Sequence, residues 1–150
     1  CPAEHRWTEY VDLLLDIVEQ VSAGYAIDCD RVYLTGLSMG GQGTWVVAAA
    51  APERFAAIAP ICGPRRPPTD DWEARVRALA RTPVWAFHGA QDPVVPVADS
   101  EWMVEALRQA GGDARLTVYP EAGHDAWTAA YADPALYSWF LAQRRRAPAS

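Results

Sequence analysis

The chain has 150 residues, of which 51% are hydrophobic, and its formal net charge at pH 7 is −6. This length corresponds to about one domain, and a chain of this size buries roughly 70% of its unfolded surface, so a substantial core is expected. The acidic balance argues against nucleic acid or an anionic membrane as the main partner. No apolar run reaches the ~20 residues that a membrane-spanning helix needs.

The first predicted element is an amphipathic helix over residues 6–23. Its apolar positions recur at helical spacing and form a stripe that we expect to pack on a sheet, with Gly24 after its end. The stripe consists of Trp7, Val11, Leu14, Val18 and Val21, widened by Tyr10 and Ile17.

Four short apolar runs alternate with helical patterns along the rest of the chain. Strands are predicted at 31–35, 55–61, 83–88 and 115–119, and helices at 39–51, 71–80, 98–110 and 134–143. Alternating strands and helices favour a parallel sheet with right-handed crossovers. The sequence therefore predicts one α/β domain over residues 1–150, a three-layer sandwich with a mostly parallel sheet.

A tight turn at residues 35–41, Thr-Gly-Leu-Ser-Met-Gly-Gly, lies between the first strand and its helix. Strand, turn and helix form the context in which a G-x-S-x-G pattern marks a nucleophilic serine. Ser38 at the apex needs an unfavourable backbone conformation, and the flanking glycines leave room for it. Its hydroxyl would stand at a helix N-terminus, where partial positive charge suits a developing oxyanion. The alternative is a small-residue turn without chemistry.

Two further polar residues follow later strands at their C-terminal ends. Asp92 comes after the strand at 83–88, and His124 comes after the strand at 115–119. A serine hydroxyl needs a base, and the base needs an acid that orients it. The C-terminal ends of parallel strands meet at one rim of a sheet, where such folds build their sites. We therefore predict that Ser38, His124 and Asp92 act together.

Other acids compete with Asp92 for the role of orienting acid. Asp99 falls on the predicted helix at 98–110, and Asp125 adjoins the base in sequence. Asp133 precedes the last helix and has the character of a helix cap. Only Asp92 directly follows a strand. The alternative is that Asp92 has a structural role, as a turn-forming residue before a proline.

Three histidines compete for the role of base. His5 precedes the serine and is expected at the surface near a helix start. His88 ends a buried strand four residues before Asp92, and we interpret it as a buried histidine that braces the acid loop by hydrogen bonds. His124 fits the order of nucleophile, acid and base, which is also the order in α/β-hydrolases.

The cysteines indicate neither a metal site nor a disulfide framework. Cys1, Cys29 and Cys62 have no C-x-x-C spacing, and with the histidines they make no metal motif. Cys62 is expected to end a buried strand as a small hydrophobe. The odd count leaves at least one free thiol, which favours a reducing compartment only slightly, so the compartment stays open.

Residues 31–45, 87–92 and 123–127 together resemble the esterase side of the α/β-hydrolase superfamily. They read RVYLTGLSMGGQGTW, FHGAQD and GHDAW, and they are similar to phospholipase/carboxylesterase, dienelactone-hydrolase and feruloyl-esterase-like enzymes. The resemblance implies that Ser38 is the nucleophile, Asp92 the acid and His124 the base. It also implies that the backbone N–H of Met39 contributes to the oxyanion hole.

The implied reaction is hydrolysis of a small carboxylic ester through an acyl-enzyme, without cofactor or metal. Trp127 is assigned to substrate binding, with core packing as its alternative. A serine peptidase of the prolyl-oligopeptidase type has the same order of residues, and it remains open. A non-catalytic hydrolase fragment, without a complete oxyanion hole, is the third possibility.

The chain departs from the superfamily at its start. Members usually begin with several more strands, and the loop after the third supplies a second oxyanion donor. We therefore expect this chain to be the C-terminal part of a larger domain, and losing one such donor costs about 10²–10³-fold in rate. The superfamily's strand order would leave the strand before Ser38 at an open sheet edge. We predict poor solubility, a homodimer paired through that edge, or dependence on N-terminal sequence.

The loop after the second strand is short, at residues 63–70. Lids are often inserted at this position in the superfamily, so a short loop implies an open cleft. Arg65 and Arg66 in this loop are interpreted as solvated side chains, with contact to an anionic substrate group as the alternative.

Overall fold

A computed structural model describes residues 7–65 and 72–145, and these contain a four-stranded sheet. The strands are β1 (Tyr33–Leu37), β2 (Ala57–Ile61), β3 (Val84–Gly89) and β4 (Ala114–Tyr119). They lie side by side in the order β1-β2-β3-β4, and every neighbouring pair is parallel. The predicted parallel α/β sheet is confirmed.

In the described part of the chain, six α-helices precede, connect or follow the strands. They are α1 (Val11–Gly24), α2 (Met39–Ala50), α3 (Trp72–Leu79), α4 (Val97–Gln109), α5 (Trp127–Ala132) and α6 (Pro134–Ala142). The prediction for the first helix began too early, because a separate 3₁₀ turn, Trp7–Glu9, precedes it. Helix α5 was not predicted, since six residues are too few to show a helical period.

The helices cover both faces of the sheet, which gives three layers. Helices α1 to α4 pack on one face and α5 and α6 on the other. Side chains along β3 alternate between the two cores, because successive residues of a strand point to opposite faces. Val84 and Ala86 lie in the first core, whereas Trp85 and Phe87 lie in the second.

Helix α1 packs on its neighbours with only part of its predicted apolar stripe. Val11 is buried in the first core, and Leu14 packs against that core. Ile17 is 48% exposed and Val21 is 45% exposed. The prediction that these two side chains are covered was therefore wrong, because the contact with the core uses a narrower face of the helix.

Strand β1 lies at the edge of the sheet in the described part of the chain, paired only with β2. The expected edge position of the strand before Ser38 is thus confirmed. Leu37 at its end is 39% exposed. Among the described residues, no helix is both long and apolar enough to cross a membrane. Pairing of two copies through the β1 edge stays a prediction.

Candidate active site

Ser38 sits at the sharp turn between β1 and α2. Its backbone has φ of 52° and ψ of −117°, a conformation that costs a non-glycine residue about 1–3 kcal/mol. Two hydrogen bonds hold it there: the Ser38 amide donates to the Ile61 carbonyl at 2.8 Å, and the Ser38 carbonyl accepts from the Gln42 amide at 3.0 Å. A side chain on Gly36 would collide with the Gly40 carbonyl. The turn at Ser38 therefore has the strained backbone that the G-x-S-x-G pattern predicts.

The side chains of Ser38, His124 and Asp92 meet at the C-terminal rim of the sheet. Nε2 of His124 lies 2.9 Å from the Ser38 hydroxyl oxygen. Nδ1 of the same ring lies 2.7 Å from Oδ2 of Asp92. Because the carboxylate only accepts, Nδ1 carries the ring proton and Nε2 accepts from the serine hydroxyl. The structure therefore brings all three predicted residues into one hydrogen-bonded line.

The loop after β3 fixes Asp92 through its other carboxylate oxygen. Oδ1 accepts from the backbone amides of Val94 at 2.8 Å and Val95 at 2.9 Å. The side chain is fully buried. Burial by itself raises the pKa of this carboxyl, but the hydrogen bonds from His124 and the two amides outweigh it and lower the pKa. Asp92 is therefore held in its ionised form.

The loop after β4 fixes His124 through its backbone. The His124 carbonyl accepts from the Ala126 amide at 2.9 Å and from the Cys62 thiol at 3.3 Å. A side chain on Gly89 would collide with the Gly123 carbonyl, so this glycine lets the two loops approach. The imidazole remains 21% exposed, which keeps it open to solvent.

Two other predicted site residues flank this line. Met39 is the first residue of α2, where backbone N–H groups have no acceptor within the helix. Trp127 begins α5, and its ring stands at 90° to the His124 imidazole with 5.2 Å between centroids. Met39 thus adjoins the serine, and Trp127 adjoins the histidine.

The competing acids have structural partners of their own. Asp99 lies in α4 and accepts from the Arg65 amide at 2.9 Å. Asp125 accepts from the Thr128 amide at 3.1 Å in the first turn of α5. Asp133 caps α6 by accepting from the Ala135 amide, as predicted. Within residues 7–65 and 72–145, none of these three acids forms a hydrogen bond with the His124 ring.

The remaining candidate residues lie away from the line of Ser38, His124 and Asp92 or beside its acid loop, or are not described. The Arg65 guanidinium lies 4.4 Å from the centre of the Trp102 ring, so it packs on α4. His5 and Arg66 lie outside the described residues. His88 is buried and bonded to the acid loop, as predicted. Its contact with Ser100 was not foreseen, because Ser100 reads only as a polar residue in a helix.

One group of three metal-ligand atoms occurs among the described residues, and it overlaps the site. The Cys62 sulfur, an Asp92 oxygen and a His124 nitrogen lie within 4.8 Å of one another. Burial raises the pKa of the Cys62 thiol, which favours the protonated form that metals do not bind. In this structure the three groups are engaged in hydrogen bonds.

Comparison with known proteins places the chain among esterase-type hydrolases. The dienelactone hydrolase family matches residues 3–137. A Salmonella typhimurium protein named "Putative carboxymethylenebutenolidase" is 33% identical over 113 residues, which are 73% of this chain and 42% of that protein. The chain thus spans about two fifths of the length of the curated relatives it matches.

Solved structures give the same picture of the fold. A thermostable esterase superimposes with a TM-score of 0.82 at 34% identity, covering 91% of this chain and 37% of the esterase. The acylaminoacyl peptidase of Pyrococcus horikoshii superimposes with a TM-score of 0.70 over 93% of this chain and 28% of the peptidase. It is only 14% identical, so this likeness shows the fold alone. The chain has a partial α/β-hydrolase fold.

Proposed function

The chain belongs to the dienelactone hydrolase family, and on that premise we propose that it carries the nucleophile, base and acid of a carboxylic ester hydrolase. The observation that supports this proposal is the unbroken line of two hydrogen bonds from Ser38 through His124 to Asp92, at 2.9 and 2.7 Å. The similarity to an esterase at 34% identity favours esters over peptides as substrates.

The first half of the proposed reaction forms an acyl-enzyme. The Ser38 oxygen attacks the ester carbonyl carbon while its proton moves to Nε2 of His124. Collapse of the tetrahedral intermediate breaks the bond to the alcohol oxygen, and His124 returns the proton to that oxygen. Water then attacks the acyl-enzyme by the same steps and releases the carboxylic acid.

Asp92 and Met39 supply the electrostatic support for this reaction. The ionised carboxylate holds the tautomer of His124 that can accept the serine proton, and it stabilises the imidazolium that follows. The Met39 N–H, at the positive end of α2, donates to the oxyanion. Trp127, beside the imidazole, provides an apolar wall for the substrate.

Covalent labelling with a fluorophosphonate, followed by intact mass, tests the proposal. The reagent phosphonylates a serine whose base is in place, so we expect one adduct on the parent chain. Ser38→Ala should give none. Ser22→Ala is the matched control, because the Ser22 hydroxyl only donates to the Val18 carbonyl within α1 and its loss should leave labelling unchanged.

Each outcome has a defined meaning. An adduct that disappears in Ser38→Ala should be followed by a panel of p-nitrophenyl esters and of peptide anilides. Turnover of anilides in preference to esters would contradict the ester assignment. A folded parent chain that takes no label would overturn the claim that this chain has an assembled site.

A further inference from the structure

Asp92 has a second histidine neighbour, His88, besides His124. Nε2 of His88 lies 3.3 Å from Oδ2 of Asp92, the same oxygen that accepts from His124. Nε2 also lies 3.0 Å from the Val95 carbonyl. The other ring nitrogen, Nδ1, lies 2.7 Å from the Ser100 hydroxyl. The His88 ring and the Asp92 carboxylate are both fully buried.

The partners of His88 determine its tautomer. A carbonyl oxygen and a carboxylate oxygen can only accept, so Nε2 must carry a proton to satisfy either of them. In the neutral ring Nδ1 then accepts, and the Ser100 hydroxyl is the donor. Ser100 is itself only 1% exposed, so bulk water does not compete with His88 for its hydroxyl. The Val95 carbonyl thus favours the tautomer with the proton on Nε2, and the Ser100 hydroxyl supplies the matching donor for Nδ1.

The Asp92 carboxylate accepts three hydrogen bonds: Oδ1 accepts from the amides of Val94 and Val95, and Oδ2 accepts from His124. The Nε2–H of His88 donates to the Val95 carbonyl and also lies 3.3 Å from Oδ2, as a fourth polar neighbour of the carboxylate. Hydrogen bonds to a buried carboxylate stabilise its charged form and restrict its rotation. The positive end of the His88 N–H dipole lies close to Oδ2, so it favours the charged oxygen in the position that faces the base.

We propose that Ser100 and His88 form a positioning pair that aims Oδ2 of Asp92 at Nδ1 of His124. The pair does not touch the substrate or the serine. Ser100 bonds to His88, and His88 bonds to the acid loop at Val95 and lies 3.3 Å from Oδ2 of Asp92. This inference rests on the proposed function for its effect on activity, but the bonding pattern itself is independent of any reaction.

Besides the amides of its own loop, the groups that face the Asp92 carboxylate come from three elements. His88 belongs to β3, His124 to the loop after β4, and Cys62 to the end of β2; Ser100 of α4 acts through His88. Burial raises the pKa of the Cys62 thiol, so it contributes no negative charge near Asp92. Loss of the His88 donor should therefore be felt through Asp92 and His124 alone.

A pair of amide substitutions separates the two nitrogens of His88. The amide nitrogen of Gln reaches the position of Nε2, so His88→Gln can still place an N–H beside the Val95 carbonyl and Asp92. The amide of Asn reaches only the position of Nδ1, so His88→Asn keeps the neighbour at Ser100 and loses the N–H beside Val95 and Asp92. We expect fluorophosphonate labelling of Ser38 to slow about 10-fold in His88→Asn, and to stay within about threefold of the parent in His88→Gln.

The pH profile of labelling gives a second readout. Without the His88 N–H beside it, the Asp92 carboxylate attracts protons more strongly, both for itself and for the imidazole bound to it. The acid limb of the labelling rate should therefore move to higher pH in His88→Asn and not in His88→Gln. A purely structural role would lower the melting temperature of both variants and leave the acid limb where it is, which would overturn the proposal.

Nuclear magnetic resonance of the parent chain with ¹⁵N-labelled histidine tests the bonding pattern without any reaction. We expect the buried histidine to carry its proton on Nε2, and Ser100→Ala to weaken that preference. A proton on Nδ1 of His88 in the parent chain would contradict the inference, whatever the variants do. If the tautomer is as expected and Ser38 takes no label, the proposed function fails and the hydrogen-bonded pair stands.

Discussion

The C-terminal rim of the sheet buries polar side chains, whereas the outward face of α1 exposes apolar ones. At the rim, polar side chains are buried and bonded to one another, as the full burial of His88 and Asp92 shows. On α1, apolar side chains stand in solvent, with Leu13 at 55% and Ile17 at 48% exposure. A buried polar group is stable only when it is paired, whereas an exposed apolar group costs little by itself. The rim is therefore the region where single substitutions should matter most.

The largest expected effect is at the centre of the rim. His124→Ala removes the base that activates Ser38, so the rate of fluorophosphonate labelling should fall by about 10⁴-fold or more. The fold should survive, since the imidazole is partly exposed. Labelling kinetics and a melting curve on the same preparation check both statements. Labelling at the parent rate would remove His124 from the site.

The next largest effect concerns the turn that presents Ser38. A side chain on Gly36 would collide with the Gly40 carbonyl, whereas one on Gly40 would meet nothing within 4 Å. We expect Gly36→Ala to lower the free energy of unfolding by about 1–3 kcal/mol, as overpacking does. Gly40→Ala is the matched control and should leave it unchanged or slightly higher. Equal denaturation midpoints would show that the turn tolerates a methyl group at both positions.

The buried carboxylate predicts a smaller, pH-dependent effect on stability. The pKa of Asp92 is lower in the folded chain than its ordinary value, so the charged form stabilises the fold. That contribution is present above about pH 4, the unfolded value, and is lost as the pH falls through the lowered folded value. Melting temperatures measured from pH 7 to pH 3 should fall less steeply for Asp92→Asn than for the parent chain. Parallel curves would mean that the carboxylate is not stabilised.

The smallest effect is expected on the outward face of α1. Ile17→Lys should change the free energy of unfolding by no more than about 0.5 kcal/mol, because the side chain is already exposed. Val11→Ala, on the buried face, should cost about 1–3 kcal/mol. A large loss of stability in Ile17→Lys would mean that this face is covered in solution and would remove the contrast between the two regions.

Much of the fold could be predicted because it depends on local pattern. Alternating apolar runs and helical periods give the four strands and most of the helices, and parallel strands must bring their C-terminal ends to one rim. This geometry places residues that follow strands, such as Asp92 and His124, near one another without any knowledge of the loops. The turn at Ser38 is likewise a local matter of glycines at fixed offsets from a serine.

Other features depended on how distant segments pack, and the sequence alone could not supply them. The bond between His88 and Ser100, the thiol of Cys62 against the His124 carbonyl and the stacking of Arg65 on Trp102 each join different elements. The exposure of Ile17 was also decided by the angle at which α1 meets the core. The sequence by itself thus determines which residues reach the rim, because the end of a strand can be located from local pattern. Only the tertiary structure decides which of those residues contact one another, because those contacts join distant segments.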